Sequence, residues 1–316
     1  MSLINCHLHV RPGEWDADSI IRYLDRNSME PCWLLTWEEV SPGPWYYSAM
    51  PISSVYEAYT RYPDRIIPFY APDPHRKDAV RCLELWHRKG IRGCGELKAS
   101  LPWKSRQVYK LLAAAEKLRM PVLFHMQAPE RIPVQRPPMT RNQKRASRML
   151  AIARDYLRLS QSHQAASKPC PSVPSPLYAD FPGYLPDFDG LEQALKDFPR
   201  LSFIAHGPLF WKHIAADAAY RNEAYPTGPY TDEGLIWQLL RKHPNLHADT
   251  SAGSGFTALT RDADFSRRFL DEFQDKILYG TDNVEVGQKD FIDSLNLPPA
   301  ALRQIYSGNA RRLVLQ

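Results

Sequence analysis

No run in this chain of 316 residues approaches the ~18–20 consecutive apolar residues that a membrane-spanning helix needs. A secretory leader is not expected either, because MSLINCHLHV has no basic segment followed by a long apolar one. Cysteine is scarce: Cys6, Cys32, Cys82, Cys94 and Cys170 form no CxxC pair, and an odd number cannot all pair within the chain. They read as reduced thiols in a cytoplasmic protein. Neither sign of charge dominates, with 40 Lys and Arg against 35 Asp and Glu and a net charge of +5. That excess is too small to imply a polyanion, so neither nucleic acid nor a membrane is expected as a partner. It suits a small, anionic substrate. Oligomeric state has no clear signal, and a homo-oligomer is left open. The first turn, CHLHVRPGEW, lacks the GxGxxG of a dinucleotide-binding sheet.

What is present is an ordinary globular composition, 44% hydrophobic and 24% charged, and a pattern that recurs without any repeat of sequence. Each amphipathic helical stretch runs through a short breaker into a compact apolar strand, and a polar or glycine-rich segment follows. The strands read as 3–9, 32–37 (CWLLTW), 65–72 (RIIPFYAP), 91–98 (IRGCGELK), 121–126 (PVLFHM), 200–207 (RLSFIAHG), 245–251 (NLHADTS) and 276–283 (KILYGTDN). Eight strands alternating with helices predict parallel strands joined by right-handed crossovers, closed into a (β/α)₈ TIM barrel, an α/β fold. An open doubly wound sheet is the competing architecture. The reading is one barrel domain over 1–316.

Most strand starts are about 30 residues apart, but the fifth and sixth are about 80 apart. The proline-rich extra material, 127–190, is expected as an insertion on the C-terminal face of the barrel, forming a lid or side wall. Within it, Arg141, Lys144, Arg145 and Arg148 share one face of a predicted helix (Arg141 to about Gln161). A solvated face explains them, as would a subunit contact or an anion-attracting rim.

The strand ends carry the chemistry. Strand 1 ends in His7-Leu8-His9, strand 4 in Glu96-Leu97-Lys98, strand 5 in His125, strand 6 in His206 and strand 8 in Asp282. Parallel strands converge on one rim, so these residues become neighbours. Side chains at i and i+2 on a strand point the same way, so two imidazoles can reach one cation at ~2.0–2.1 Å. HxH alone is a weak signal; the company of further strand-end ligands strengthens it.

In that order, CHLH, GELK, FHMQ, AHGP and YGTDN resemble the amidohydrolase superfamily. The closest likeness is to the branch holding aminocarboxymuconate semialdehyde decarboxylase, other aromatic-acid decarboxylases and several lactone hydrolases. The resemblance spans nearly the whole chain. It implies a distorted barrel with one or two divalent metal ions, usually zinc. It also implies His7, His9 and Asp282 as metal ligands, with His125 and His206 matching the strand 5 and strand 6 histidines. Members of the branch differ on strand 4. Glu96 is expected to ligate and could bridge two ions, or could simply pair with Lys98 or Arg92. Lys98 could carry a carbamate or hold a substrate carboxylate.

The preferred reading is a metal-dependent hydrolase acting on a lactone, amide or ester. Water acidified by the ion loses its proton to Asp282, and His206 either ligates or polarises the carbonyl. The first rival is non-oxidative decarboxylation of an aromatic or enol acid, with one ion, an acid–base His206, and Lys98 or Arg92 on the carboxylate. The second is an inactive barrel serving as a binding scaffold, against which stands the full set of ligands. Histidine and carboxylate ligands also accept manganese, iron or cobalt.

Other residues have plainer expectations. His75, His87, His163 and His243 read as surface or capping residues, and His213 as a candidate pocket residue. His247 or Asp249 could orient a ligand histidine through its free ring N–H. SAGSGF (251–256) reads as a strand-to-helix turn. Cys6 is not counted as a ligand. Trp103, Tyr184, Phe210 and Trp211 are candidate pocket walls, with Trp211 placed on the substrate.

Overall fold

The computed structural model describes residues 1–11, 14–38, 50–133, 178–230 and 232–314. Among them the elements run β1 (Leu8–His9), α1 (Ala17–Arg26), β2 (Cys32–Leu35), α2 (Ile52–Arg61), β3 (Ile66–Pro68), α3 (Ala79–Arg88), β4 (Cys94–Leu97), α4 (Arg106–Lys117), β5 (Val122–His125), β6 (Glu130–Pro133) and β7 (Tyr178–Phe181). They continue with α5 (Phe188–Asp197), β8 (Phe203–His206), α6 (Pro208–Lys212), α7 (Leu235–Lys242), β9 (Leu246–Asp249), α8 (Ala252–Thr260), α9 (Ala263–Glu272), β10 (Ile277–Leu278), α10 (Gln288–Ser294), α11 (Pro299–Arg303) and α12 (Asn309–Val314).

Each of the eight predicted strands is present, and all their pairings are parallel. One run is ordered β1-β2-β3 and the other β10-β9-β8-β5-β4. Single backbone bonds join the runs. Tyr70 donates to the carbonyl of Gly93 at 3.0 Å and Arg92 to that of Pro68 at 2.9 Å; at the other seam Cys6 donates to Tyr279 at 2.9 Å and Asp282 to His7 at 2.8 Å. The chain is therefore a (β/α)₈ barrel. The paired part of strand 1 is shorter than the apolar run that announced it, because Ile4 and Cys6 bond singly to Tyr306 and Tyr279.

The helices start where short polar side chains can satisfy their first N–H groups. Asp16, Ser105, Asp187 and Asp262 accept from Ser19, Val108, Gly190 and Phe265. Their apolar faces pack outside the barrel in one large core with Leu8, Leu34, Cys94, Phe124 and Phe203. A separate inner cluster fills the barrel: Ile4, Cys6, Trp33, Leu35, Phe69, Leu123, Ile204 and Leu278, closed by Ala310 and Leu313. Space for the Phe69 ring comes from Gly93, where a Cβ would lie 2.0 Å from a ring carbon.

Two strands break the simple alternation of faces. Strand 1 bends at Cys6, so Cys6 belongs to the inner cluster and yet His7, its neighbour, also turns to the mouth. The β4–β5 register shifts between Cys94 and Leu97, as a bulge does when it re-aims a side chain. In both places the irregularity brings a polar residue onto the rim.

Glu130–Phe181 forms a second compact unit, inside the interval expected as an insertion. Its described part is the antiparallel pair β6–β7, with Arg131 opposite Asp180. The predicted basic helix from Arg141, together with His163 and Cys170, lies outside the described residues. Cys6, Cys32, Cys82 and Cys94 are free thiols, as expected. Among the described residues no helix is long and apolar enough to cross a membrane.

Candidate metal centre

His7 and His9 stand on one rim of the barrel, and their Nε2 atoms lie 3.0 Å apart. Their other nitrogens identify the protons. His7 Nδ1 is 2.7 Å from the carboxylate of Asp249, and His9 Nδ1 is 3.0 Å from the carbonyl of Leu35. Both partners only accept, so each Nδ1 donates and each Nε2 is the nitrogen turned inward, free to offer its lone pair once it carries no second proton. Two carboxylates face the same point. Asp282 Oδ1 is 3.1 Å from His9 Nε2 and 3.8 Å from His7 Nε2. Glu96 Oε2 is 3.4 Å from His9 Nε2 and 3.6 Å from His7 Nε2.

Two ring nitrogens and two carboxylate oxygens therefore converge on one spot, which a proton on His7 or a bound cation would fill. Ligands held ~2.0–2.1 Å from a tetrahedral ion lie roughly 3.3–3.4 Å from each other, and the separations here, from 3.0 to 3.8 Å, bracket that spacing. The donor set, two imidazoles and two carboxylates, fits a divalent ion. His7, His9 and Asp282 form one group with ligand spacing; His7, Glu96 and His206 form another.

Glu96 faces two ways. Its Oε1 accepts from His125 Nδ1 at 2.7 Å and lies 3.8 Å from His206 Nε2, while Oε2 takes the His7–His9 side and also the ammonium of Lys98. Lys98 is buried, with its Nζ 3.7 Å from the centre of the Trp37 ring.

Asp282 is held out by its backbone. It and Asn283 both adopt left-handed conformations, φ 55° and 58°, uncommon outside glycine though better tolerated by Asp and Asn. Asn283 compensates by bracketing His9, accepting from its N–H at 2.7 Å and donating to its carbonyl at 3.0 Å. On the other side of the seam, Asn5 accepts from the backbone N–H groups of His7 and Thr281 and donates to the Thr281 hydroxyl.

The electrostatics follow from this crowding. Burial opposes charge on His7, but Asp249 and Asp282 outweigh it and raise its pKa to about 10. Burial likewise works against the charge of Asp282, yet His7 and His9 hold it down to about 2. Glu96 is kept well below the carboxylate range against its burial, by Lys98 and three histidines. Desolvation lowers His125 to about 4 and pushes Lys98 down. The cluster attracts positive charge, whether a proton or a cation.

The structure thus brings His7, His9, Glu96, Lys98, His125, His206 and Asp282 together. It does not bring Arg92, which is exposed at the opposite, N-terminal end of β4; four residues before Glu96, it is about 13 Å away along an extended strand. Trp211 is also corrected. Its indole is fully buried and donates to the backbone carbonyl of Asp249 at 2.9 Å, so it props β9 and its N–H is not turned to a substrate. Trp103 and Phe210 lie in the core, while Tyr184 packs edge-on to His125 at 5.9 Å. His87 caps the end of α3 on Ile91, His75 bonds Asp73, and half-buried His213 packs against Phe188.

Two contributors were harder to read. Asp249 bonds His7 and also His206, the latter at 3.0 Å, where a single partner was the expectation. Ser251 lies beside both rings, 3.1 Å from His7 Nδ1 and 3.0 Å from His206 Nδ1. Its only signal was its place two residues beyond Asp249.

Comparison with known proteins agrees with this architecture. The amidohydrolase family model matches residues 49–315, and the chain belongs to that family of metal-dependent enzymes. Among solved structures, an uncharacterised TIM-barrel protein from Bordetella bronchiseptica shares 14% identity at a TM-score of 0.57, over 100% of this chain and 99% of that one. A probable 2-pyrone-4,6-dicarboxylic acid hydrolase from Acinetobacter baumannii, with citric acid bound, shares 13% identity at 0.56 over the whole of both chains. 5-Carboxyvanillate decarboxylase from Sphingomonas paucimobilis shares 13% at 0.53 over 99% of each. These likenesses establish the fold. No curated protein matches the sequence.

Proposed function

We propose that the protein is a metal-dependent hydrolase acting on a small carbonyl substrate, a lactone, amide or ester, with zinc as the ion. The observation that supports this best is the two-faced Glu96. One oxygen turns to His7 and His9 and the other to His125 and His206, an arrangement suited to a carboxylate between two cation positions. His7, His9 and Asp282 would hold the first ion, with Glu96 between it and a second position beside His125 and His206.

Bound there, a divalent ion would acidify water and polarise a carbonyl oxygen. Asp282 is the base: it is ionised, partly exposed and fixed by its strained backbone over His9, and it takes a proton from the attacking water. It then returns that proton to the leaving group. His206, with Nε2 turned into the cluster, steadies the carbonyl oxygen or completes the second set of ligands. The buried ammonium of Lys98 is the cation for an anionic group of the substrate.

That same ammonium motivates the alternative, non-oxidative decarboxylation, since it stands where a substrate carboxylate could be held. Ion stoichiometry and product separate the two. Two ions per chain and hydrolysis of a lactone or ester panel are expected. One ion, Glu96 uncoordinated and CO₂ released from an aromatic acid would replace this reading with the decarboxylase.

A further inference from the structure

We propose that Asp249, assisted by Ser251, is a positioning residue that sets the working nitrogen of His7 and of His206 together, coupling the strand 1 ligand to the strand 6 histidine. The inference rests on the metal-dependent reading above. Asp249 is fully buried at the end of β9. A carboxylate has about four lone-pair sites, and four donors meet it here. His7 Nδ1–H reaches Oδ2 at 2.7 Å. His206 Nδ1–H reaches Oδ1 at 3.0 Å, the backbone N–H of Ser251 reaches it at 3.0 Å and the Ser251 hydroxyl at 2.5 Å.

Oδ1 thereby takes three donors and Oδ2 one, so the carboxylate is committed to the two rings and to Ser251. Its effect is exerted through the rings. Because both Nδ1 atoms donate toward one carboxylate, it is Nε2 of each ring that faces the cluster, and its lone pair is the one offered to a bound ion. The rings sit 4.5 Å apart between centroids, and one rigid group determines both. Trp211 fixes the backbone beneath it, and Ser251 Oγ, between the two Nδ1 atoms, prevents either ring from turning independently. Two histidines with separate partners could be perturbed one at a time; these cannot.

Asparagine is the discriminating substitution, since it keeps the shape but offers one acceptor and one donor where two acceptors are required. Asp249→Asn, folded as judged by circular dichroism, is expected to lose zinc affinity 10–100-fold in chelator competition, and to lower kcat more than KM. In the zinc-loaded wild type, downfield ring N–H resonances of His7 and His206 should both be assigned to Nδ1. Ser251→Ala, the gentler change, should keep both resonances but shift them together, and Ser251→Thr should restore them. If Asp249→Asn binds zinc like the wild type, the positioning role is wrong while the metal-dependent reading stands. The same holds if Ser251→Ala shifts only one ring or neither. If the wild type binds no zinc, both fall.

Discussion

The inner cluster and the mouth of the barrel are built by the same strands, two residues apart, and they are opposite in character. Leu123 lies beneath His125 and Ile204 beneath His206. Below, methyl groups and rings pack around little more polarity than the Trp33 indole N–H and the Cys6 thiol; above, histidines and carboxylates crowd together at distances that added positive charge relieves. The lower layer makes the upper one tolerable. Burying unsatisfied acceptors costs free energy, and a rigid floor prevents them from relaxing apart. Stability and chemistry are thus separated by height along the strand.

This comparison can be broken from either side. Asp282→Asn should reduce turnover by about 10²–10⁴-fold, with the melting temperature nearly unchanged; full activity in that variant would remove Asp282 as base. Phe69→Ala, in the floor, should do the reverse. It should destabilise by about 3–5 kcal/mol in denaturant titration, while the fraction still folded binds metal as before. Gly93→Ala, which sets a methyl against the Phe69 ring, should cost about 1–3 kcal/mol or more by overpacking, again without altering the ion count.

A pH experiment sharpens the contrast. In metal-free protein the folded pKa of His7 lies near 10 against an ordinary value of 6.5. The stabilisation from its proton is complete below pH 6.5 and is lost as pH rises through about 10. Thermal stability of the metal-free protein should therefore fall across that window, and saturation with a divalent ion, which would take the proton's place on the proposed ligands, should flatten the dependence. An unchanged slope would show that the mouth carries no such excess of negative charge. The smallest effect is expected at the other end of the barrel, where Arg200→Ala should alter stability by about 0.5 kcal/mol or less and leave turnover alone.

Much of this was legible in the chain because strand ends are a one-dimensional signal. An apolar run that stops at His, Glu or Asp marks both the strand and its exit, and His7, His9, Glu96, His125, His206 and Asp282 were all recognisable in that way. Arg92 misled because it precedes the strand whose far end carries Glu96, so a short separation in sequence is a long one in space, whereas Lys98, two residues on, shares the rim with it. Trp211 misled because proximity to a strand end says nothing of which way an indole N–H points. Asp249 was visible as a partner for one histidine. Its second bond depends on the lateral order β10-β9-β8, which sets β9 beside the strand of His206 while His7 reaches it from strand 1 beyond β10, and which no local motif encodes. Ser251 is an ordinary turn residue until that order is known.

The seam between β1 and β10 has a consequence for how the protein comes into being. Asn5 meets Thr281 across 276 residues of chain and His9 meets Asn283 across 274, so the first two histidines wait for almost the last strand before their surroundings exist. Contacts so distant in sequence form late, since their loop entropy must be offset by structure already in place. A nascent chain still lacking its eighth strand carries HxH but none of the carboxylate at 282 that completes the set. On the proposed ligand set, metal capture would wait until the fold has closed, and any truncation before Asn283 should yield a protein that neither binds the ion tightly nor holds its first strand.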